Sequence, residues 1–420
     1  MLGDMTQPGA TAAHDSAEAV ASPAGRLDHA AALIDHLLAH GSATRAELAG
    51  ATGLGRTAAT GLVSRLLDAG VLVDGESGSD GRHGRLHLAI ADRLLLTAGV
   101  AGDDAVATIA ELDGTELARY EEPVAVDDDD PRPRSAAPLD ALAVVVDRAV
   151  AQAARDERPI ADVSLLVQGA VVGAPELALG DTTLGLEPLD VVAALRARSE
   201  RLAAIEADLV APPSLRAAAS ARAATESTGY PDDVLLHVSG DAQVSAAIVV
   251  RGVPYSGAHG LAATFGHLPI VPNGVRCDCG QRGCLATVAA PEVVLARAEL
   301  DDVERTYGRR AALTELATRL AESEDRARWA WLDAALWIGR ALQVAVPTID
   351  PDVVVIGGWW APHAADIEAS FRDNRPAIGA GALDGLPRLV PARSGDDDGL
   401  IGARRQARER LRSVLAAVAA

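Results

Sequence analysis

The sequence predicts an α/β protein in which a small winged helix-turn-helix unit precedes a larger body with two lobes of similar design. Apolar residues recur at helical spacing in three short segments near the front, and two short strand patterns follow them. From about residue 93 onward, strand-like and helix-like segments alternate, which is typical of an α/β body. A chain of 420 residues is long enough to contain two or three domains.

The composition favours a globular protein. Hydrophobic residues make up 49% of the chain and charged residues 23%, and no run of 18 apolar residues predicts a membrane span. Residues 1–24 lack the basic and apolar regions of a secretory signal, so we expect a disordered tail on a cytoplasmic protein with reduced thiols. The net charge of −21 argues against extensive coating of nucleic acid but permits a local DNA-reading surface.

Residues 25–91 carry the winged helix-turn-helix pattern. "RLDHAAALIDHLLAHG" predicts a helix that stops at Gly41, and "SATRAELAGATG" predicts a second helix. Glu47 is placed to close a capping box on Thr44 at the start of this second helix. A "GLGR" turn and a third helix, "TAATGLVSRLLDAG", come next. "VLVDGESGSDGRHGRLHLAI" then predicts a hairpin with a polar, Gly-rich loop.

The same segment predicts which residues contact DNA. In a winged helix-turn-helix, the second helix of the turn motif enters the major groove while the hairpin touches the DNA backbone or a minor groove. Arg56 and Thr57 begin that helix, and arginine can bind guanine through two hydrogen bonds. The predicted contacts are Arg45, Arg56, Thr57, Thr60, Ser64, Arg65, Arg82, His83 and Arg85. Alternatively, each arginine is a solvated surface cation, or the whole segment is a dimerisation module.

All three cysteines lie within eight positions of "GHLPIVPNGVRCDCGQRGCL", residues 266–285. A disulfide framework explains them poorly, because three thiols leave one unpaired. Three thiolates and one imidazole form a closed ligand set for a structural Zn²⁺, so we predict a site made by His267, Cys277, Cys279 and Cys284. Gly280 and Gly283 would permit the tight turns that this site needs. The alternative is a chance cluster of small buried residues.

Residues 26–90 and the cysteine cluster together resemble the ROK family, which comprises repressors, open reading frames of unknown role and sugar kinases. "FGHLPIVPNGVRCDCGQRGCL" is similar to the family's zinc-bearing signature, "IDPDVVVIGGWW" resembles the segment near its nucleotide pocket, and "GLIGARRQA" resembles the start of its C-terminal helix. The front segment resembles the repressor branch, because ROK kinases lack it. The resemblance implies a winged helix-turn-helix at 25–91, followed at 92–420 by two actin-like ATPase (ribonuclease H-like) lobes with a zinc site at 267–284.

The resemblance also implies where a kinase site would lie, and those positions differ here. The family's catalytic Asp leads into an Ala-rich helix and corresponds to Pro213 in "VAPPSLRAAASARAA". Thr264 replaces the sugar-binding Glu, and Ala286 replaces the Glu after "Cys-Leu". The two phosphate turns read "VAGDDAV" and "SGDAQVSA", whose acidic residues would repel a nucleotide. No Asp or Glu lies between Asp208 and Glu226 to act as a general base.

These observations predict a ROK-type transcriptional regulator, a repressor that binds a double-stranded DNA operator and does not phosphorylate sugar. The body would sense a sugar or sugar-phosphate effector, hold a homodimer or homotetramer together, or do both. Two other interpretations stay open. One is a ROK sugar kinase with an unusual active site. The other is an interaction protein whose front unit no longer reads DNA.

Overall fold

The computed structural model describes residues 23–75, 84–124, 132–227, 229, 234–373, 387–393 and 398–418. The described residues form an N-terminal unit, residues 23–90, and two lobes that are each built on a five-stranded sheet. Almost all of the predicted tail at 1–24 lies outside them. No described helix is both long enough and apolar enough to cross a bilayer.

The N-terminal unit contains three helices and a three-stranded antiparallel sheet of order β1-β3-β2. Gly41 adopts a φ of 75° immediately after α1, which ends this helix where the sequence predicted. Leu33, Ile34 and Leu66 are fully buried between the helices. The elements are α1 (Pro23–His40), β1 (Ser42–Ala43), α2 (Arg45–Thr52), α3 (Arg56–Asp68), β2 (Leu72–Asp74) and β3 (Leu86–Leu88).

Lobe 1 has a sheet of order β10-β7-β4-β5-β6, in which β4, β5 and β6 are antiparallel while β7 and β10 run parallel to β4. Helix α4 packs on the meander with a wide apolar face. The elements are β4 (Leu94–Ala101), β5 (Asp104–Ala110), β6 (Glu116–Pro123), α4 (Ala136–Arg155), β7 (Ile160–Val167), β8 (Ala170–Val172), β9 (Leu177–Leu179), α5 (Val191–Arg196), α6 (Glu200–Ile205) and β10 (Ser214–Ala217).

Lobe 2 repeats this connectivity in the order β13-β12-β11-β14-β15, again with an antiparallel meander followed by two parallel strands. The prediction of two lobes of similar design is therefore confirmed. The elements are α7 (Ala218–Ser227), β11 (Val234–Gly240), β12 (Val244–Val250), β13 (Val253–Tyr255), α8 (Ala286–Ala289), α9 (Pro291–Arg297), α10 (Asp301–Tyr307), α11 (Arg309–Ala321), α12 (Asp325–Ile349), β14 (Val353–Gly358), α13 (Ala364–Asp373), β15 (Arg388–Pro391) and α14 (Asp398–Val418).

Two helices cross between the lobes. Helix α7 follows the last strand of lobe 1 but packs on the sheet of lobe 2, where Ala219 and Ala223 contact the core. Helix α14 follows the last strand of lobe 2 but packs on the sheet of lobe 1. The helices touch closely at Gly402, where an added Cβ would lie 1.8 Å from the Ala221 carbonyl oxygen. Each lobe is therefore tied to the other through a helix that the other supplies.

The far end of α14 packs against the N-terminal unit. Leu411 and Leu415 share one apolar core with α1 and with lobe 1 residues such as Leu95. The connection between the unit and lobe 1 is also held by hydrogen bonds, because Arg158 donates to the Asp92 carbonyl at 2.8 Å and to Glu111 at 2.8 and 2.6 Å. The N-terminal unit is therefore packed directly on the body.

Candidate functional site

The exposed side of α3 collects most of the residues predicted to read DNA. Helix α3 buries Ala59, Leu62, Val63 and Leu66 on one side. The opposite side and the amino end are exposed and carry Arg56, Thr57, Thr60, Ser64 and Arg65. A helix that is firmly seated by an apolar face and lined with arginine and hydroxyl groups on its free face has the chemistry of a base-reading helix.

Both ends of α2, the helix that precedes the turn into α3, are defined by local backbone features. Thr44 accepts a hydrogen bond from the Glu47 backbone N–H, and the Glu47 carboxylate accepts one from the Thr44 backbone N–H at 2.7 Å, so the predicted capping box is confirmed. The latter bond holds the pKa of Glu47 below its ordinary value. Gly53 ends α2 at a φ of 66°, which suits glycine. These contacts fix how α3 is presented.

Two of the arginines predicted to contact DNA have partners within the protein. Arg45 lies 3.2 Å from Asp74, and Arg85 donates to the Ser42 side chain at 2.9 Å and to its carbonyl at 2.6 Å. Arg85 also lies 3.4 Å from Glu47. Both arginines thus brace the hairpin against α2 in the free protein. Arg82 and His83, predicted at the hairpin tip, lie outside the described residues.

The four predicted zinc ligands lie together. One ligand atom from each of His267, Cys277, Cys279 and Cys284 is within 4.8 Å of the other three. His267 Nδ1 is 3.7 Å from Cys277 Sγ, and Cys279 Sγ is 3.5 Å from Cys284 Sγ. With bonds of about 2.0–2.3 Å to zinc, ligand atoms of a tetrahedron lie about 3.5–3.8 Å apart. The donor set could therefore hold one Zn²⁺ as a closed structural site.

The loop that carries the cysteines is shaped by glycine. Gly283 has a φ of 74°, and an added Cβ there would lie 2.0 Å from the Val271 carbonyl oxygen, so only glycine fits. Burial lowers the pKa of His267, which keeps the imidazole neutral, as a ligand must be. Burial, and then its hydrogen bonds with the neighbouring cysteines, raises the pKa of Cys284 to about 12. A bound cation is what would deprotonate such a thiol.

The two turns that the resemblance assigned to nucleotide phosphates are occupied by the chain itself. Asp103, in the first turn, accepts weak hydrogen bonds at 3.4 Å from the backbone N–H groups of Arg309 and Arg310, at the start of α11 in lobe 2. Asp241, in the second turn, lies 2.8 Å from the Arg222 guanidinium. Each carboxylate thus lies where a phosphate would otherwise be attracted, Asp103 at a helix N-terminus and Asp241 beside a cation.

Trp360 fills the space beside the second of these turns. Its indole ring is completely buried and covers Gly240, where an added Cβ would lie 2.3 Å from the ring. Across the cleft, Gln243 donates to the Gln168 carbonyl of lobe 1 at 2.5 Å. The lobes are therefore in direct contact beside the second turn, with a large aromatic side chain filling the space at Gly240.

The structure changes the alignment of this chain with the site of a sugar kinase. Pro213 is buried before β10, whereas the Ala-rich helix begins at Ala218, after Ala217 ends that strand. Ala217 and Ala218 therefore lie where the chain enters the helix. The alignment of the family's catalytic Asp with Pro213 was wrong by the length of one short strand. Thr264 is exposed just before the turn that carries His267, and Ala286 begins α8.

The buried carboxylate of Asp181, which follows β9, does not supply a free base. Asp181 is 1% exposed, and its two oxygens accept hydrogen bonds from four backbone N–H groups. Burial, with Arg222 nearby, lowers the pKa of His237 on β11 to about 3, so its imidazole is neutral. Neither group is arranged for proton transfer.

Sequence reasoning missed two residues that shape this cleft, Arg222 and Trp360. The "GGWW" stretch was a usable signal for Trp360, since bulky residues follow a Gly pair at a supposed nucleotide pocket. Arg222 carried no such signal, because its pairing with Asp241 depends on how α7 crosses onto lobe 2.

Comparison with known proteins shows which family the chain belongs to. Kanosamine kinase of Amycolatopsis mediterranei is 33% identical over 153 residues, which cover 35% of this chain and 47% of that protein. A putative xylose repressor of Caldicellulosiruptor is 34% identical over 131 residues, covering 29% of this chain and 33% of that protein. The chain thus spans about half the length, or less, of the curated relatives it matches first.

Among solved structures, a ROK family transcriptional regulator described as a homologue of the Escherichia coli MLC protein is similar with a TM-score of 0.67. It is 19% identical, and the match covers 94% of this chain and 98% of that one. A ROK glucokinase from Streptomyces griseus, solved with glucose and AMPPNP, gives a TM-score of 0.57 at 19% identity and covers 75% of this chain and 99% of its own. At these identities the likeness concerns the fold.

The match to the regulator structure must include part of the N-terminal unit. Residues from 98 onward are about three quarters of the chain, so a match to 94% must extend into the unit, whereas a match to 75% need not. The ROK family itself matches residues 98–410, which include nearly all of both lobes and most of α14. The chain therefore belongs to the ROK family.

Proposed function

We propose that this protein is a DNA-binding transcriptional regulator, acting as a repressor, whose sugar-kinase-like body does not transfer phosphate. The observation that carries the proposal is the exposed face of α3, with Arg56, Thr57, Thr60, Ser64 and Arg65, on a helix seated against two other helices and a three-stranded sheet. This is how the reading helix of the proposed winged helix-turn-helix at 25–91 would be held. The operator is double-stranded DNA, and two copies of the protein place two reading helices on a palindromic site in the cytoplasm.

The loss of phosphoryl transfer is supported by the chemistry of the cleft. Phosphoryl transfer needs donors and cations aimed at phosphate oxygens and a base for the attacking hydroxyl. Here Asp103 and Asp241 face the expected phosphate positions, and Trp360 covers Gly240. The segment between Asp208 and Glu226 has no carboxylate to act as the base. Each change removes an interaction of several kcal/mol from the transition state.

The body would then act as a sensor and a support. A structural Zn²⁺ on His267, Cys277, Cys279 and Cys284 would hold the loop beside Thr264 and Ala286. The proposed effector is a sugar or sugar phosphate, the class suggested by the sugar kinases and the xylose repressor among the relatives. Calorimetric titration with a panel of these compounds tests it, and the absence of a heat of binding for every compound would rule out sugar sensing.

Helix α14 offers the route by which lobe movement would reach DNA. It packs on α7 and on lobe 1 at one end, and on α1 through Leu411 and Leu415 at the other. The Arg412 guanidinium also lies 3.0 Å from Asp35 of α1. A change in how the lobes are arranged would shift this helix, and with it the orientation of α3.

The test is binding to DNA from upstream of the protein's own gene, with two matched variants. Arg56→Ala removes an exposed arginine from the reading helix, and Arg305→Ala removes an exposed arginine of lobe 2, 66% exposed in its side chain. We expect Arg56→Ala to weaken specific binding by about 1–3 kcal/mol and Arg305→Ala to leave it unchanged. Equal effects of the two variants, or no specific binding at all, would contradict the proposal.

A sugar kinase with an unusual base is the second candidate, and the kinase relatives are what favour it. Release of ADP in the presence of a hexose, above the rate without sugar, would establish it. The arrangement of Asp241 and Trp360 predicts no such release.

A further inference from the structure

A cavity opens on the surface of lobe 1, and none of its lining residues belongs to the cysteine cluster, the reading helix or the two turns beside the cleft. Its volume is about 300 Å³, which is at the small end of the range for ligand-binding cavities. The walls are supplied by β6, α4 and α6. The lining residues are Tyr120, Asp147, Arg148, Ala151, Arg155 and Arg201.

Helix α4 forms one wall of this cavity because of the spacing of its residues. Arg148, Ala151 and Arg155 follow one another at intervals of three and four positions, so they lie on the same side of the helix. The other side packs into the core of lobe 1 through residues such as Val146 and Ala149. Ala151 is a short side chain between two long ones, which leaves space for a ligand between the two arginines.

The walls of the cavity carry more positive than negative charge. Three guanidinium groups line it against one carboxylate, that of Asp147, which accepts a hydrogen bond from the Ser199 hydroxyl. The whole chain has a net charge of −21, so this excess of positive charge is a local feature. A cavity whose walls carry mostly one sign of charge concentrates ions of the opposite sign.

Two of the three arginines have no carboxylate partner in the described part of the chain. Arg148 lies 2.9 Å from the Glu122 carboxylate, which holds its guanidinium in place. Arg155 donates to the Gln152 side-chain oxygen at 2.6 Å, and Arg201 has neither a hydrogen-bond nor an ion-pair partner among the described residues. Arg155 and Arg201 are exposed, so an anion reaches them from solvent.

This arrangement suits a phosphate group. The planar guanidinium of arginine can donate two parallel hydrogen bonds to phosphate oxygens. A phosphate monoester carries a charge of about −1.5 to −2 near pH 7, which matches two guanidinium groups that lack carboxylates. The phosphate group occupies only part of the cavity, and Tyr120 and Ala151 offer ring and methyl surface to an organic portion.

We propose that this cavity binds a phosphate group, held by Arg155 and Arg201 with Arg148 beside them. The group is carried by inorganic phosphate or by a small phosphate monoester. The bound ligand connects α6 to α4, and it therefore stabilises lobe 1. The site is separate from the effector region and from the reading helix of the proposed regulator, and it does not depend on DNA binding.

The test is calorimetric titration of the full chain with inorganic phosphate and with phenyl phosphate, in a buffer free of phosphate. We expect saturable binding, and a dissociation constant about tenfold higher or more for Arg155→Ala and for Arg201→Ala, because each loses charged hydrogen bonds to the anion. Arg56→Ala is the matched control, since it removes the same charge from an exposed position on α3 and should leave the dissociation constant unchanged. No saturable binding, or binding that both cavity variants keep, would overturn the proposal.

The two probes distinguish the sources of the phosphate group. Tighter binding of phenyl phosphate assigns the cavity to an ester whose organic portion lies against Tyr120, whereas equal or tighter binding of inorganic phosphate assigns it to the free ion. Acetate, which carries a single charge, should bind more weakly than either probe. Acetate that binds as tightly as both would overturn the assignment to phosphate.

A second measurement reads the stabilisation of lobe 1. The melting temperature of the unmodified protein should rise with phosphate concentration, because the ligand binds the folded state. The double variant Arg155→Ala, Arg201→Ala should show no such rise. An equal rise in both proteins would place the bound phosphate elsewhere and overturn the proposal.

This proposal and the proposed regulator fail separately. Arg201→Ala should lose affinity for phosphate and keep specific DNA binding, whereas Arg56→Ala should do the reverse. A protein that binds phosphate in this cavity but no DNA would retain the anion site and remove the regulator. Specific DNA binding without saturable phosphate binding would retain the regulator and remove the anion site.

Discussion

Replacing Leu411 with alanine should loosen the N-terminal unit from the body. Leu411 is 0% exposed and lies in the core that α14 shares with α1 and with lobe 1. A buried Leu→Ala change costs about 2–5 kcal/mol, because it loses transfer free energy and leaves a cavity. Taking about 3 kcal/mol, the opening of α1 away from α14 becomes about 100-fold more frequent.

Hydrogen exchange measured by mass spectrometry is the assay, because it reads each helix separately. In Leu411→Ala we expect the amides of α1 to exchange about 100-fold faster than in the unmodified protein, while those of α12, which lies in lobe 2, keep their protection. Val418→Ala is the matched control, since Val418 lies on the same helix and is 56% exposed. Unchanged exchange in α1, or an equal increase in α12, would refute the shared-core argument.

Three further predictions concern zinc binding, the pH dependence of stability and nucleotide binding. The protein should contain one equivalent of zinc by elemental analysis, and Cys284→Ser should lose it and lower the melting temperature; an equally stable metal-free protein would refute the site. Hydrogen bonds from Arg158 lower the pKa of Glu111 in the folded protein. These bonds therefore stabilise the fold above the unfolded-state pKa of about 4.3, and the stabilisation is lost as the pH falls through the lower folded-state pKa. Glu111→Gln should therefore cost up to about 1 kcal/mol in urea unfolding at pH 7, and the difference should shrink below about pH 4; a constant difference would contradict the assignment. Magnesium–ATP should leave the melting temperature unchanged because Trp360 and Asp241 occupy the cleft, and an upward shift would show a working nucleotide site.

The parts of the fold that depend on local signals were predictable from the sequence. Gly41 ends α1 and the Thr44–Glu47 box begins α2 as expected, because capping depends on residues a few positions apart. The cysteine cluster was visible for the same reason, since its three thiols are nearly adjacent in sequence.

The parts that depend on tertiary contacts were not predictable. The run of alanines after Pro213 has no side chain that fixes its alignment, and only the end of β10 at Ala217 shows which residue leads into the helix. Likewise, the pairing of Arg45 with Asp74 joins segments that meet only when the hairpin folds back on α2. Periodicity in the sequence records which side of a helix is buried but not which element covers it.

The measurement that tests the account most directly is a footprint of the full chain on DNA upstream of its own gene, at near-physiological salt. A dimer with two reading helices predicts protection of a palindromic site whose half-sites are about one helical turn, or a multiple of it, apart, with affinity that falls steeply as salt rises. Uniform protection that follows no sequence, or none at all, would contradict the claim that this ROK protein regulates transcription.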